Sequence, residues 1–136
     1  MPVPFEGGCR CGAVRYVCNS EPAMMAHCHC RDCQYSSGGP YATLVIVSED
    51  SLEIIGTVKD FSLTADSGKN VTRKFCPECG TPVFSKPEVL EGMMVIKAPS
   101  MDDPSWIDPA FHMFTDSDQS WTEVSGEKPS FGKGPG

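Results

Sequence analysis

The sequence predicts a mostly β protein of two packed, stacked short antiparallel sheets, stapled by metal-binding knuckles and carrying one or two short helical turns. Three observations carry that prediction. Gly and Pro supply 25 of the 136 residues, well above the usual share of roughly 12%, which favours turns and short strands over long helices. Between those turns lie short runs rich in β-branched and aromatic residues. Eight cysteines are present, and seven of them stand in close-set groups with metal-ligand spacing.

Each element follows from its local pattern. Ala13 to Cys18 alternates, placing Val14, Tyr16 and Cys18 on one face of a strand. Tyr41 to Val47 is a β-branched run between Gly38-Gly39-Pro40 and Ser48-Glu49-Asp50, and Leu52 to Ile55 is a third strand. Val58 to Thr64 and Asn70 to Phe75 flank Ala65-Asp66-Ser67-Gly68-Lys69 and predict a hairpin. Further strands are expected at Thr81 to Ser85, Met93 to Lys97, Ala110 to Thr115 and Trp121 to Val124. Cys30 to Ser36 predicts a short helix ended by Gly38-Gly39, and Asp102-Asp103-Pro104 predicts a helical turn. Residues 1–126 are expected to form a single domain and residues 127–136 a flexible tail.

The N-terminal Met1-Pro2-Val3-Pro4-Phe5-Glu6-Gly7-Gly8 has neither a basic segment nor an apolar run, so no signal peptide is expected. No stretch approaches the ~18 apolar residues of a membrane span. A cytoplasmic setting follows, and thiols there persist as metal ligands rather than disulfides. The formal charge of −7, deepened by any thiolate, repels phosphate backbones. The longest basic cluster is Arg73-Lys74, so neither nucleic acid nor membrane is an expected partner.

The cysteines form three groups and an outlier: Cys9-Arg10-Cys11, Cys28-His29-Cys30-Arg31-Asp32-Cys33, Cys76-Pro77-Glu78-Cys79-Gly80, and Cys18. The third is the strongest local signal. Two thiolates three positions apart converge on one metal when the chain forms a tight knuckle, with Pro77 fixing one backbone angle and Gly80 permitting a left-handed closure. A redox C-x-x-C would need a helix after its first cysteine; Gly80-Thr81-Pro82 opposes one. A knuckle supplies two ligands and zinc takes four, so either remaining group can complete it. Pairing with the C-x-C group leaves three cysteines and one open position, the division between closed structural and open catalytic sites.

Three histidines bear on that count. An extended backbone through Cys28 and Cys30 turns His29 away from a metal they share, making it a pocket or supporting residue. His27 precedes Cys28, and His112 lies in the apolar run Phe111-His112-Met113-Phe114. Any of the three could close the second site as its fourth ligand. Cys18 reads as a small buried residue, and Trp106, Trp121, Phe111 and Phe114 read as core. Glu49-Asp50 and Asp102-Asp103 read as solvated loop residues.

Taken together, Gly8-Cys9-Arg10-Cys11-Gly12-Ala13-Val14-Arg15-Tyr16, the Cys28–Cys33 group followed by Ser37-Gly38, and Phe75-Cys76-Pro77-Glu78-Cys79-Gly80-Thr81 resemble three ordered motifs of one family. The chain resembles the glutathione-dependent formaldehyde-activating enzyme family, which also contains centromere protein V. The resemblance reaches Pro109-Ala110-Phe111-His112 and Trp121. It implies a β-tent fold and a structural zinc on Cys9, Cys11, Cys76 and Cys79. It implies a second zinc on Cys28, Cys30 and Cys33, and carbon–sulfur lyase chemistry interconverting glutathione and formaldehyde with S-hydroxymethylglutathione.

That chemistry suits the residues. Three thiolates make zinc a soft metal that favours sulfur in its fourth position. A small thiol such as glutathione bound there would lose its proton readily and add to an aldehyde. The function expected is thus a zinc-dependent carbon–sulfur lyase acting on a small-thiol aldehyde adduct. The competing reading is a noncatalytic zinc module that binds a thiol, a peptide or a protein partner through the same face.

Overall fold

The computed structural model describes residues 2–123 and 128–135. Among these residues ten strands and one α-helix follow in order: β1 (Phe5–Gly8), β2 (Arg15–Cys18), β3 (Met24–Cys28), α1 (Arg31–Ser37), β4 (Ala42–Ser48), β5 (Leu52–Ile55), β6 (Lys59–Thr64), β7 (Asn70–Phe75), β8 (Pro82–Pro87), β9 (Met93–Lys97) and β10 (Phe111–Met113). Among the described residues they form two sheets, three strands in the order β1-β2-β5 and seven in the order β10-β3-β4-β9-β8-β7-β6. The mostly β expectation holds, with one refinement: β10 runs parallel to β3 at the edge of the larger sheet.

Binary pattern explains how the sheets stack. On β2, Tyr16 and Cys18 are buried while Arg15 and Val17 face partly outward. The buried row, with Val14 and Phe5, packs against Val45, Val47, Phe84 and Ile96 of the larger sheet. β4 is apolar almost throughout because both its faces are covered. Val45 and Val47 meet the smaller sheet, whereas Leu44 and Ile46 join a second cluster with Cys28, Cys30 and Val95. One face of the large sheet therefore carries the main core and the other carries the second cysteine group.

Two strands escaped the sequence pattern. β1 contains Gly7 and Gly8, poor strand formers, yet it pairs with β2 over Gly7↔Tyr16 and Gly8↔Arg15. Gly7 is required there, because a Cβ would collide with the Tyr16 hydroxyl and the Ser100 carbonyl. We expect Gly7→Ala to cost about 1–3 kcal/mol by overpacking and to lower the melting temperature by about 5–10 °C; a thermal melt checks it. β3 was hidden because Met24-Met25-Ala26 lacks β-branched residues.

Other expectations need correction. The turn expected to start at Asp102-Asp103-Pro104 is one hydrogen-bonded turn rather than a helix, the Ile107 amide donating to the Pro104 carbonyl at 3.1 Å, and a separate 3-10 turn precedes it at Ala98–Ser100. The Asp102 amide crosses to the Glu6 carbonyl, at 3.0 Å, and the Asp102 carboxylate pairs with Arg15, so this acidic residue is not merely solvated. Glu49 likewise pairs with Lys86. Trp121 is 65% exposed rather than core, and residues 121–123 form no strand; Val124, the end of that expected strand, lies outside the described residues. In the segment expected as a tail, the Phe131 amide donates to the His112 carbonyl at 3.0 Å and the His112 amide to the Pro129 carbonyl at 2.9 Å. No helix among the described residues is long and apolar enough to cross a membrane.

Candidate metal centres

The turn from β1 to β2 and the turn from β7 to β8 meet at one end of the stacked sheets. Each is a knuckle. Gly80 donates to the Cys76 carbonyl at 2.9 Å with φ of 77°, while the amides of Glu78 and Cys79 point at Cys76 Sγ from 3.3 and 3.4 Å. In the first turn Gly12 donates to the Cys9 carbonyl at 3.2 Å with φ of 85°, and the Val14 amide reaches Cys9 Sγ at 3.2 Å. These amides offset thiolate charge. At the rim, the Thr81 hydroxyl, 3.1 Å from Cys79 Sγ, leads the hydrogen bonds that lower the Cys79 thiol to about 5.

The four sulfurs of Cys9, Cys11, Cys76 and Cys79 lie within 4.8 Å of one another. Tetrahedral coordination with metal–sulfur bonds of about 2.3 Å sets neighbouring sulfurs about 3.8 Å apart. Cys9 and Cys11 stand 3.6 Å apart, Cys11 and Cys76 3.7 Å. The donor set fits a closed four-thiolate metal site, and all eight cysteines are free of disulfides.

Cys28, Cys30 and Cys33 form the second group, also within 4.8 Å. Cys28 ends β3, Cys30 caps α1 by accepting from the Cys33 amide at 3.3 Å, and Cys33 follows one turn later. Gly38, with φ of 70°, ends α1 as expected. Hydrogen bonds from the Cys28 and Cys33 thiols, then from backbone amides of Cys33 and Asp32, push the Cys30 thiol down to about 3. The same bond raises Cys28 to about 12, so a cation must displace protons to gather all three thiolates.

No histidine joins either group. His29 is fully buried, its Nε2 sharing a hydrogen bond with His112 Nδ1 at 2.9 Å and its Nδ1 lying 2.5 Å from Asp118 Oδ1, though off the line of a hydrogen bond. His27 stacks on His112 at 4.8 Å between centroids and shares a hydrogen bond with Thr43 Oγ1 at 3.0 Å. Burial, then the charges of His112 and His29, hold His27 down at about 4. An unfolded histidine takes up its proton near 6.5, so between these values the unfolded chain binds more protons and stability rises with pH. We expect thermal stability of metal-loaded protein to fall from pH 6.5 to 4, and less steeply for His27→Gln, whose amide can still reach Thr43. Melts across that range check it; parallel slopes would assign the loss to other groups, the thiolates and His112, which burial also holds down.

The three-cysteine group lines a cavity of about 270 Å³ on the outer face of the large sheet. Met24, Leu44, Ile46, Val95, Met113 and Phe114 give it a largely apolar wall. Phe114 is held in the left-handed region, φ 60°, its amide bonded to the Lys133 carbonyl at 3.0 Å. That is a strained conformation for a bulky residue, located at the cavity edge. The polar lining includes Asp32, paired with Arg73 at 2.5 Å, and Lys97. Arg31 turns away, its guanidinium 4.8 Å from the Tyr35 ring centre.

Sequence reasoning passed over Asp32, Arg73 and Lys97. A signal for Lys97 existed: alternation along β9 places it on the face of Met93 and Val95, a charged residue in an inward row.

A family profile described as "Glutathione-dependent formaldehyde-activating enzyme" matches residues 4–117. Two relatives, from Aspergillus flavus and Aspergillus oryzae, each named "Putative glutathione-dependent formaldehyde-activating enzyme", are 25% identical over 121 residues. The match takes in 83% of this chain and 63% of theirs, so the chain spans less than two thirds of those relatives. A crystal structure of a Rhodobacter sphaeroides protein superposes with a TM-score of 0.59 over 93% of this chain and 99% of that one; at 17% identity the likeness is one of fold. By the extent of the profile match, over three ordered cysteine motifs, the chain belongs to the glutathione-dependent formaldehyde-activating enzyme family.

Proposed function

We propose that the chain is a zinc-dependent carbon–sulfur lyase that interconverts a small thiol and an aldehyde with their hemithioacetal, glutathione and formaldehyde with S-hydroxymethylglutathione being the family's example. One observation carries the reading: three cysteines without a histidine partner line a cavity, whereas the four-cysteine group is complete in itself. Cys9, Cys11, Cys76 and Cys79 would hold a structural zinc; Cys28, Cys30 and Cys33 would hold a second with one position left for substrate. A zinc held there would supply stabilisation of a thiolate at neutral pH.

The remaining work falls to the chain. Cys30, accepting from the Cys33 amide, anchors its sulfur to the start of α1 and fixes where the cluster faces. The apolar wall excludes water, which competes with the thiol for the aldehyde. In the forward direction a sulfur–carbon bond forms and the thiol proton ends on the former carbonyl oxygen. The reverse breaks that bond and returns the proton to sulfur.

Exchange NMR of formaldehyde, glutathione and their adduct, with and without zinc-loaded protein, tests the proposal. Exchange faster than the facile background supports it. Background exchange together with saturable thiol binding would instead favour the noncatalytic zinc module.

A further inference from the structure

Lys97 is the unusual group in the cavity. It is 8% exposed, projects from β9 beside Val95, and makes no ion pair among the described residues. Among the described residues its Nζ bonds only the Ser36 hydroxyl, at 3.5 Å, and that hydroxyl donates onward to the Cys33 carbonyl at 3.2 Å. Of the carboxylates lining the cavity, Asp32 is paired with Arg73 at 2.5 Å and Asp66 accepts from the Arg31 amide at 3.2 Å; neither bonds Lys97. A buried ammonium without a carboxylate partner carries a desolvation cost that a ligand's carboxylate can relieve. It stands at the cysteine end of a largely apolar cavity, with Val89 and Pro135 among the residues lining it.

We propose that this cavity selects a thiol with an apolar body and a single carboxylate, the carboxylate pairing with Lys97 while the sulfur meets the Cys28–Cys30–Cys33 group. This rests on the lyase reading only in taking that group as the anchor of the thiol. Glutathione is the poorer fit. It brings two carboxylates and an ammonium, whereas among the described residues Lys97 is the lining cation without a carboxylate partner, Arg73 being paired to Asp32. An ammonium could still meet Asp66 at the cavity rim, but a second carboxylate against Leu44, Ile46 and Val95 would be buried unpaired.

Calorimetric titration of zinc-loaded protein tests this with 3-mercaptopropionate, 6-mercaptohexanoate, the mercapto-alcohols of equal length, and glutathione. The better of the two acids is expected to bind on the order of 10-fold more tightly than its alcohol and than glutathione. Lys97→Met, similar in shape, should erase the preference for acid over alcohol while changing alcohol binding by less than about 2-fold, and Lys97→Arg should retain part of the preference. Glutathione binding as tightly as the best acid would overturn the proposal. So would equal weakening of acid and alcohol by Lys97→Met, which would make Lys97 a partner of the cysteine group's own charge. Should Lys97→Met fail to fold, as judged by circular dichroism, the wild-type ranking decides alone. That ranking is separate from catalysis: loss of the lyase reading shows as background exchange with every thiol, whatever their order of binding.

Discussion

Cys76→Ser is expected to remove cooperative unfolding at physiological temperature or to lower the melting temperature by about 10–20 °C, the equivalent of about 3–5 kcal/mol. Three features set that size. Cys76 is fully buried in the main core. Its sulfur accepts from two amides of its own turn, which a shorter, harder oxygen would leave poorly matched. Above all, its group joins the β1–β2 turn to the β7–β8 turn, so a metal held there would clamp the small sheet to the large one. Structural zinc contributes directly to folding free energy, and a chain of 136 residues with many turns has little reserve. Differential scanning calorimetry of zinc-loaded protein, with and without a strong chelator, measures the effect. A wild-type melt indifferent to the chelator would contradict it.

Cys30→Ser is expected to act in the opposite way, leaving the fold and removing activity. Serine is among the best helix caps, so its hydroxyl can take over the bond that Cys30 Sγ receives from the Cys33 amide. What is lost is a soft donor. Zinc content should fall from about two equivalents to about one, and the catalysed increment in hemithioacetal exchange should drop by about 100-fold or more. Elemental analysis and exchange NMR on the same sample separate the two effects. Wild-type exchange rates in a variant that has lost the second zinc would sever that metal from the chemistry.

The contrast between these variants reflects how much of the molecule was legible beforehand. Alternation placed Val14, Tyr16 and Cys18 on one face, and all three are fully buried. The hairpin about Ala65–Lys69 pairs Thr64 with Asn70. Both succeeded because short-range pattern and turn chemistry agree with the tertiary result. β1 was missed because Gly7 and Gly8 carry no strand signal of their own; the strand forms by pairing with β2, where Gly7 lies opposite Tyr16 and leaves no room for a Cβ. The parallel pairing of β10 with β3 depends on a long-range return of the chain that no local window contains.

The site divides along the same line. Spacing indicated which cysteines form groups, since C-x-C and C-x-x-C are local geometry. Their assembly into four and three was open on spacing alone; the family resemblance implied that partition, and the structure gathers the sulfurs in the same two sets. The fate of the histidines was not local. His29 finds His112 and Asp118, separated from it by more than 80 positions, which directs its nitrogens away from the three sulfurs. Nor could spacing reveal the cavity, whose wall combines β3, β4, β9 and the residues after β10.

On the proposed reading one cysteine group is closed and the other leaves a place for a thiol. Cobalt(II) substituted into both sites reports sulfur ligation directly, through the intensity of its sulfur-to-metal charge-transfer absorption. Adding a small thiol to the cobalt protein should raise that absorption saturably, by about one ligand per chain, and should leave Cys30→Ser unchanged. A wild-type spectrum that no thiol alters, with both sites loaded, would contradict the account.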